Sequence, residues 1–224
     1  MCGRFTLFSE INILQQEFGL GEILGDFRPR YNIAPSQNIA VVTDPIARKL
    51  EMCRWGLIPS WAKDPSIGYR LINARSETLS EKPAFRQAFA RRRCLILADG
   101  FYEWRNPKVK SVQSAPYYFH LTSAKPFAFA GLWETWKDAE GQEVHSATII
   151  TCPANECVGQ FHERMPVMLD AAASWNWLTP DATVKALSAL LRPYTSEKMA
   201  VYPVSSLVNN PVNDLPGCVE PMVV

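Results

Sequence analysis

Seventeen prolines are spread along the whole 224-residue chain. Each removes a backbone donor and fixes φ, so no long helix can run through them, and the fold must be assembled from short strands, turns and brief helices. Seven largely apolar, strand-like runs lie between the helical segments: 39–43, 50–55, 94–98, 117–121, 127–133, 147–151 and 200–204. Three helices are predicted. The first covers 9–18, with Ser9 as cap and Gly19 as stop; the second follows Ser80, with Pro83 early and Phe85 and Phe89 four apart; the third covers 181–191, started by Thr179 and Pro180. Strands outnumber helices and do not alternate with them. That order points to an α+β fold of mainly antiparallel, barrel-like β-sheets with peripheral short helices, one domain over residues 1–224.

Charge and cysteine usage narrow the function classes. Twenty-three Lys and Arg nearly cancel 22 Asp and Glu, so any site for nucleic acid must be local. The Arg91, Arg92 and Arg93 run is expected to be a solvated helix end. No stretch has the apolar length of a membrane helix and the N-terminus lacks the order of a secretory signal, so a soluble, cytoplasmic protein is expected. Six cysteines without a C-x-x-C pair argue for a reducing compartment. Cys152, Cys157 and His162 match no common zinc spacing, and there is no Gly-rich dinucleotide or phosphate loop, so neither a metal nor a nucleotide cofactor is expected.

The chemistry begins at Met1, Cys2 and Gly3. An initiator methionine before a small residue is generally removed, which would leave Cys2 with an amine and a thiol on adjacent carbons. An internal cysteine has its nitrogen locked in an amide, so only a terminal one offers this pair. Reference pKa values of roughly 7.7–8.0 for the amine and about 8.5 for the thiol leave part of each reactive near neutral pH. An aldehyde would form a Schiff base with the amine, and the thiol would close it to a thiazolidine.

Four further segments set polar groups among turn formers and aromatics, as pocket loops do: Tyr31 to Pro35 (YNIAP), Leu71 to Thr78 (LINARSET), Ala98 to Trp104 (ADGFYEW) and Phe161 to Pro166 (FHERMP). Together with Met1 to Phe5 (MCGRF), and in the same order over nearly the whole chain, they resemble the SOS-response-associated peptidase family, abasic-site-processing proteins that crosslink to DNA. The resemblance implies single-stranded DNA containing abasic sites as partner, no membrane, no cofactor, a monomer, and a covalent thiazolidine formed through Cys2 that shields the lesion. The family name also implies peptidase activity, limited to release of Met1.

Residue by residue, the resemblance makes Cys2 the nucleophile. Glu103 is the carboxylate beside the amine, suited to holding the ammonium and accepting its proton. His162 is suited to protonating the sugar ring oxygen as the ring opens, and Asn73, whose amide both donates and accepts, to orienting the sugar. Arg4 and Arg75 match phosphate contacts, with Arg164 a further candidate, and Trp61 would be a wedge or stacking platform that accepts any base. His120 and His145 have no such setting. In one place the pattern departs from the family: Arg164 is followed by Met165 where relatives often carry a second arginine, which weakens one phosphate contact and leaves the chemistry untouched. Two other readings compete. One is an N-terminal-nucleophile amidohydrolase of the glutamine amidotransferase kind, in which the amine is only the base; the other is a non-covalent single-strand binding module.

Overall fold

The structure, a computed structural model, describes residues 2–25, 27–105 and 114–222. Thirteen strands follow in order: β1 Phe5–Leu7, β2 Arg30–Ile33, β3 Asn38–Val42, β4 Leu50–Trp55, β5 Asn73–Arg75, β6 Arg93–Ala98, β7 Gly100–Arg105, β8 Ala115–Leu121, β9 Phe127–Lys137, β10 Glu143–Pro153, β11 Arg164–Pro166, β12 Met168–Leu169 and β13 Met199–Pro203. Five short helices, α1 Ile11–Phe18, α2 Arg86–Arg91, α3 Glu156–Gly159, α4 Ala171–Leu178 and α5 Val184–Leu190, lie between them. No described helix is long and apolar enough to cross a membrane.

Strands β3, β4, β10, β9 and β6 pair in a ring, each with the next and the last with the first, so they close a five-stranded barrel. Only the β4–β10 contact in that ring is parallel. Closure leaves no unpaired edge within the ring. A second, wholly antiparallel sheet runs β13-β8-β7-β1-β2. The fold is therefore α+β, with mostly antiparallel sheets and a closed barrel.

Aromatic side chains lock the sheet to the barrel. Phe5 of β1 meets Trp55 of β4 edge-on at 5.1 Å between ring centroids and Phe129 of β9 at 5.6 Å, and Phe101 of β7 meets Phe129 at 6.2 Å. All four rings are fully buried. Each such pair adds about 0.5–1.5 kcal/mol beyond area burial. Phe5 lies three residues from Cys2 and Phe101 two from Glu103, so the packing that stabilises the core also fixes both positions.

All seven expected strands form, with ends displaced by up to four residues, and the helices differ more. Ser9 does not cap α1: its hydroxyl donates to Asp99 at 2.5 Å, and the helix starts at Ile11 after Glu10. Gly19 does end it, in the left-handed conformation. Thr179 and Pro180 do not start a helix. Thr179 closes α4, because the residue before proline is pushed out of the helical region. The next helix begins only at Val184, where the Thr183 side chain accepts from the Ala186 amide; it buries Leu187 and leaves Val184 exposed. Nor is Arg93 a solvated helix end. It is buried and donates to the carbonyls of Phe89, Ala90, Trp177, Thr179 and Pro180, tying α2 to the end of α4.

Candidate active site

The second sheet builds one wall of the site. Phe5 pairs with Phe101 and Thr6 with Gly100, and the Tyr102 amide donates to the Arg4 carbonyl at 3.0 Å, so the antiparallel contact runs on toward the chain start. Continuing that register sets residue 3 opposite Glu103. The segment 98–104, whose composition suggests a loop, is thus largely strand, and Glu103 is held on β7 with only 6% of its surface exposed.

The opposite wall comes from the barrel. Strand β5 pairs in parallel with β10, Asn73 against Ile149 and Arg75 against Thr151. From there the Asn73 Nδ2 donates to the Cys2 carbonyl at 2.8 Å, joining residues 71 apart in sequence. The Asn73 Oδ1 is buried and has no hydrogen-bond partner among the described residues. His162 lies in the turn between α3 and β11, anchored by its neighbour Phe161, whose ring packs on Tyr117 at 4.8 Å and Phe119 at 5.1 Å of β8. Tyr117 pairs with Glu103 across the sheet, which explains why His162 and Glu103 feel one another electrostatically. The Arg164 amide donates to His162 Nδ1 at 3.0 Å, so in the neutral ring the proton sits on Nε2.

Electrostatics at this junction follow from burial. Burial pushes the Cys2 thiol well above the usual thiol range, and the negative charge of Glu103 adds to the effect. Burial thus works against the partly ionised thiol that reference values suggest. Burial also raises Glu103, opposed by His162. A raised carboxyl is a stronger base, better matched to taking a proton near neutral pH.

The four basic and aromatic candidates separate into two kinds. Arg75 and Trp61 face outward; Trp61 is 59% exposed. Both line a cavity of about 380 Å³ that also includes Asn73. Trp61 sits on the segment 57–71, whose ends are held together by the Leu57 amide donating to the Leu71 carbonyl at 3.1 Å. Gly56 and Gly68 cross at its base: a Cβ on Gly56, whose φ is +121°, would lie 2.6 Å from the Gly68 carbonyl oxygen. The Trp136 indole donates to the Ala62 carbonyl at 2.7 Å and holds the loop beside Trp61.

Arg4 and Arg164, by contrast, are drawn inward. One Arg4 nitrogen donates to Asn32 Oδ1 at 2.7 Å and to the Val208 carbonyl, and the guanidinium lies 5.8 Å from the Trp104 ring. Arg164 forms a two-pronged pair with Glu77 at 3.0 and 2.9 Å and also donates to the Thr151 hydroxyl and carbonyl. Its visible work is to hold the strand end from which His162 is oriented. Sequence reasoning missed Glu77, Thr151 and Asn32 as the residues that fix these arginines. Glu77 stands two positions after Arg75 in a segment already singled out, and that spacing was the available signal.

The comparisons follow the same outline. The model of the SOS response associated peptidase (SRAP) family matches residues 1–211. The chain is 48% identical over 226 residues to the abasic site processing protein YoqW of Bacillus subtilis (strain 168), covering 98% of this chain and 99% of that protein. It is 31% identical over 230 residues to the abasic site processing protein HMCES of Xenopus tropicalis, covering 88% of this chain and 67% of that one. A crystal structure of a protein from Bacteroides thetaiotaomicron superimposes with a TM-score of 0.89 at 24% identity, covering 99% of this chain and 100% of that chain, a likeness of fold. By family match and by full-length identity, the chain belongs to the SOS response associated peptidase family.

Proposed function

We propose that this protein processes abasic sites in single-stranded DNA by trapping the lesion's aldehyde on Cys2 after Met1 is lost, residues 1–224 acting as one monomeric unit without a cofactor. The names of its relatives support abasic-site handling. The observation that carries the residue-level reading is the hydrogen bond from Asn73 to the Cys2 carbonyl, at the place where Glu103 and His162 also interact.

In this reading the closed abasic sugar opens as His162 gives its Nε2 proton to the ring oxygen and takes back the proton that the C1 hydroxyl loses as the aldehyde forms, while the unoccupied Asn73 Oδ1 accepts a sugar hydroxyl. Glu103 takes a proton from the Cys2 ammonium. The amine adds to the aldehyde carbon and the adduct loses water to give a Schiff base. The thiol then adds to the same carbon, its proton passing to the nitrogen, and the thiazolidine closes. Overall, aldehyde and aminothiol give thiazolidine and one water. The buried, protonated thiol fits this order, since the amine attacks first and the thiol is needed only for closure. The peptidase activity in the family name is accounted for by release of Met1 from Cys2.

Arg75 and Trp61 are the groups free to meet the strand, Arg75 at a phosphate and Trp61 against a base. Arg4 and Arg164 act mainly by holding the site together. Denaturing gels of purified protein incubated with abasic and intact single strands test the proposal. A covalent band is expected only with the abasic strand, and Cys2→Ala is expected to abolish it. A Cys2→Ala protein that still crosslinks, or rapid glutamine hydrolysis with no DNA adduct, would overturn it.

A further inference from the structure

Residues 2–4 precede the first strand and are held from two sides. On the barrel side the Cys2 carbonyl takes the hydrogen bond from Asn73. On the other side the chain is anchored at Arg4, whose carbonyl accepts from the Tyr102 amide and whose guanidinium turns inward. Burial works against the charge of that guanidinium, and no carboxylate among the described residues pairs with it. A buried cation in this position depends on well-placed neutral acceptors. Arg4 has two, Asn32 Oδ1 and the Val208 carbonyl.

Both acceptors belong to one hydrogen-bonded unit built with the stretch 204–222. Asn32 is fully buried, and its Nδ2 reaches the carbonyls of Val208, Asn210 and Asn213 at 3.2, 3.1 and 2.7 Å. The planar amide that offers Oδ1 to Arg4 is therefore oriented by the turn its other end holds. Asp214 fixes the backbone on which Asn32 sits, accepting the Tyr31 and Asn32 amides at 2.5 and 2.9 Å and pairing with Arg30. The stretch is pinned in turn to the strand that carries Glu103: the Tyr102 hydroxyl donates to the Cys218 carbonyl at 3.3 Å, and the Trp104 indole to Asn209 Oδ1 at 2.8 Å.

We propose that the stretch 204–222 is a working part of the active site, with Asp214 and Asn32 as positioning residues that act through Arg4 to set where the Cys2 amine and thiol stand relative to Glu103 and Asn73. The inference rests on the trapping reaction proposed above and assigns to it residues that touch no reacting atom. Two peptide units separate Arg4 from Cys2, so at most about 7 Å of chain lies between their Cα atoms and a shift of one carries to the other. A displacement of about 1 Å at a reacting group is enough to slow a reaction on the order of 100-fold.

Two readouts test this, the first without DNA. Cys2 and Cys94 are both fully buried, so their alkylation rates, resolved by peptide mapping, report how firmly the chain start and the barrel are held. In Asp214→Ala and in Asn32→Ala, Cys2 is expected to react roughly 3- to 10-fold faster than in the parent, as the loss of one hydrogen bond gives, while Cys94 keeps the parental rate. The second readout is crosslinking to a single strand with one abasic site. The rate at saturating strand is expected to fall roughly 10- to 100-fold, with the half-saturating concentration within about twofold of the parent's. Arg4→Met is expected to slow the saturated rate likewise, and adding Asp214→Ala to it to change nothing further, because the two act in series. Asp214 is only half-buried, so Asp214→Ala carries the test if Asn32→Ala does not fold. Parental alkylation and crosslinking in Asp214→Ala, losses that add to those of Arg4→Met, or a Cys94 that loosens along with Cys2 would overturn the inference, the last by making the stretch a general stabiliser. A parent that never crosslinks would overturn the covalent reading instead, and the contrast between Cys2 and Cys94 would then decide the role of the stretch.

Discussion

The barrel and the wall around Cys2 share strands and aromatics but differ in what they bury. Along β6 and β9 the enclosed side chains include Leu95, Ile96, Leu97, Phe127, Phe129 and Leu132, which need nothing but close packing. Around Cys2 the buried groups are a thiol, the Glu103 carboxyl and the Asn73 amide oxygen, and burial raises both titratable groups against their charged forms. Such groups cost stability and are kept where they do chemistry. The barrel supplies the rigidity that lets the neighbouring wall carry this cost.

That contrast can be broken or sharpened by mutation. The largest effect is expected at Glu103. Glu103→Gln removes the base and should slow crosslinking by roughly 10²–10⁴-fold. Its effect on stability should have the opposite sign. A carboxyl whose folded pKa lies above its unfolded one binds its proton more tightly when folded, so stability is greatest below the unfolded value and falls as pH rises through the folded one. The variant should therefore melt higher than the parent at pH 8, and show no such gain at pH 3, as read by calorimetry. A lower Tm at pH 8 with unchanged crosslinking would make Glu103 structural.

A smaller and purely structural effect is expected at Glu77. Glu77→Ala leaves the buried Arg164 guanidinium without its carboxylate and should cost about 2–3 kcal/mol in urea unfolding. Smallest is the effect of Arg75→Gln, which should leave stability within about 0.5 kcal/mol while lowering the slope of log affinity against log salt by about one. If Arg75→Gln melted the protein while Glu77→Ala changed only the salt slope, the division between outward and inward arginines would be inverted.

Much of the architecture could be read from residue patterns, because β-branched runs such as Asn38–Val42 declare a strand without reference to the rest of the chain. The failures lay where tertiary partners override local preference. Gly100–Arg105 opens on the glycine of an Asp-Gly pair and looks like a turn, yet pairing with β1 and β8 on both sides makes it a central strand. Ala171–Leu178 is not predicted, because Pro180, which lies just past its end, reads locally as a helix start. Arg93 looked solvated until five carbonyls converged on it. The candidate site residues stood out by composition, but their meeting did not. The Asn73 contact with Cys2 depends on a parallel pairing between β5 and β10, which no local pattern encodes. The raised thiol at Cys2 likewise comes from burial, which reference values do not contain.

The most direct measurement is the intact mass of the purified protein before and after exposure to an abasic single strand under denaturing work-up. The account predicts a starting mass without Met1 and a product heavier by the oligonucleotide less one water. A protein that keeps Met1 or carries a capped cysteine yet still forms that product, or one that begins with free Cys2 and gains nothing, would contradict it.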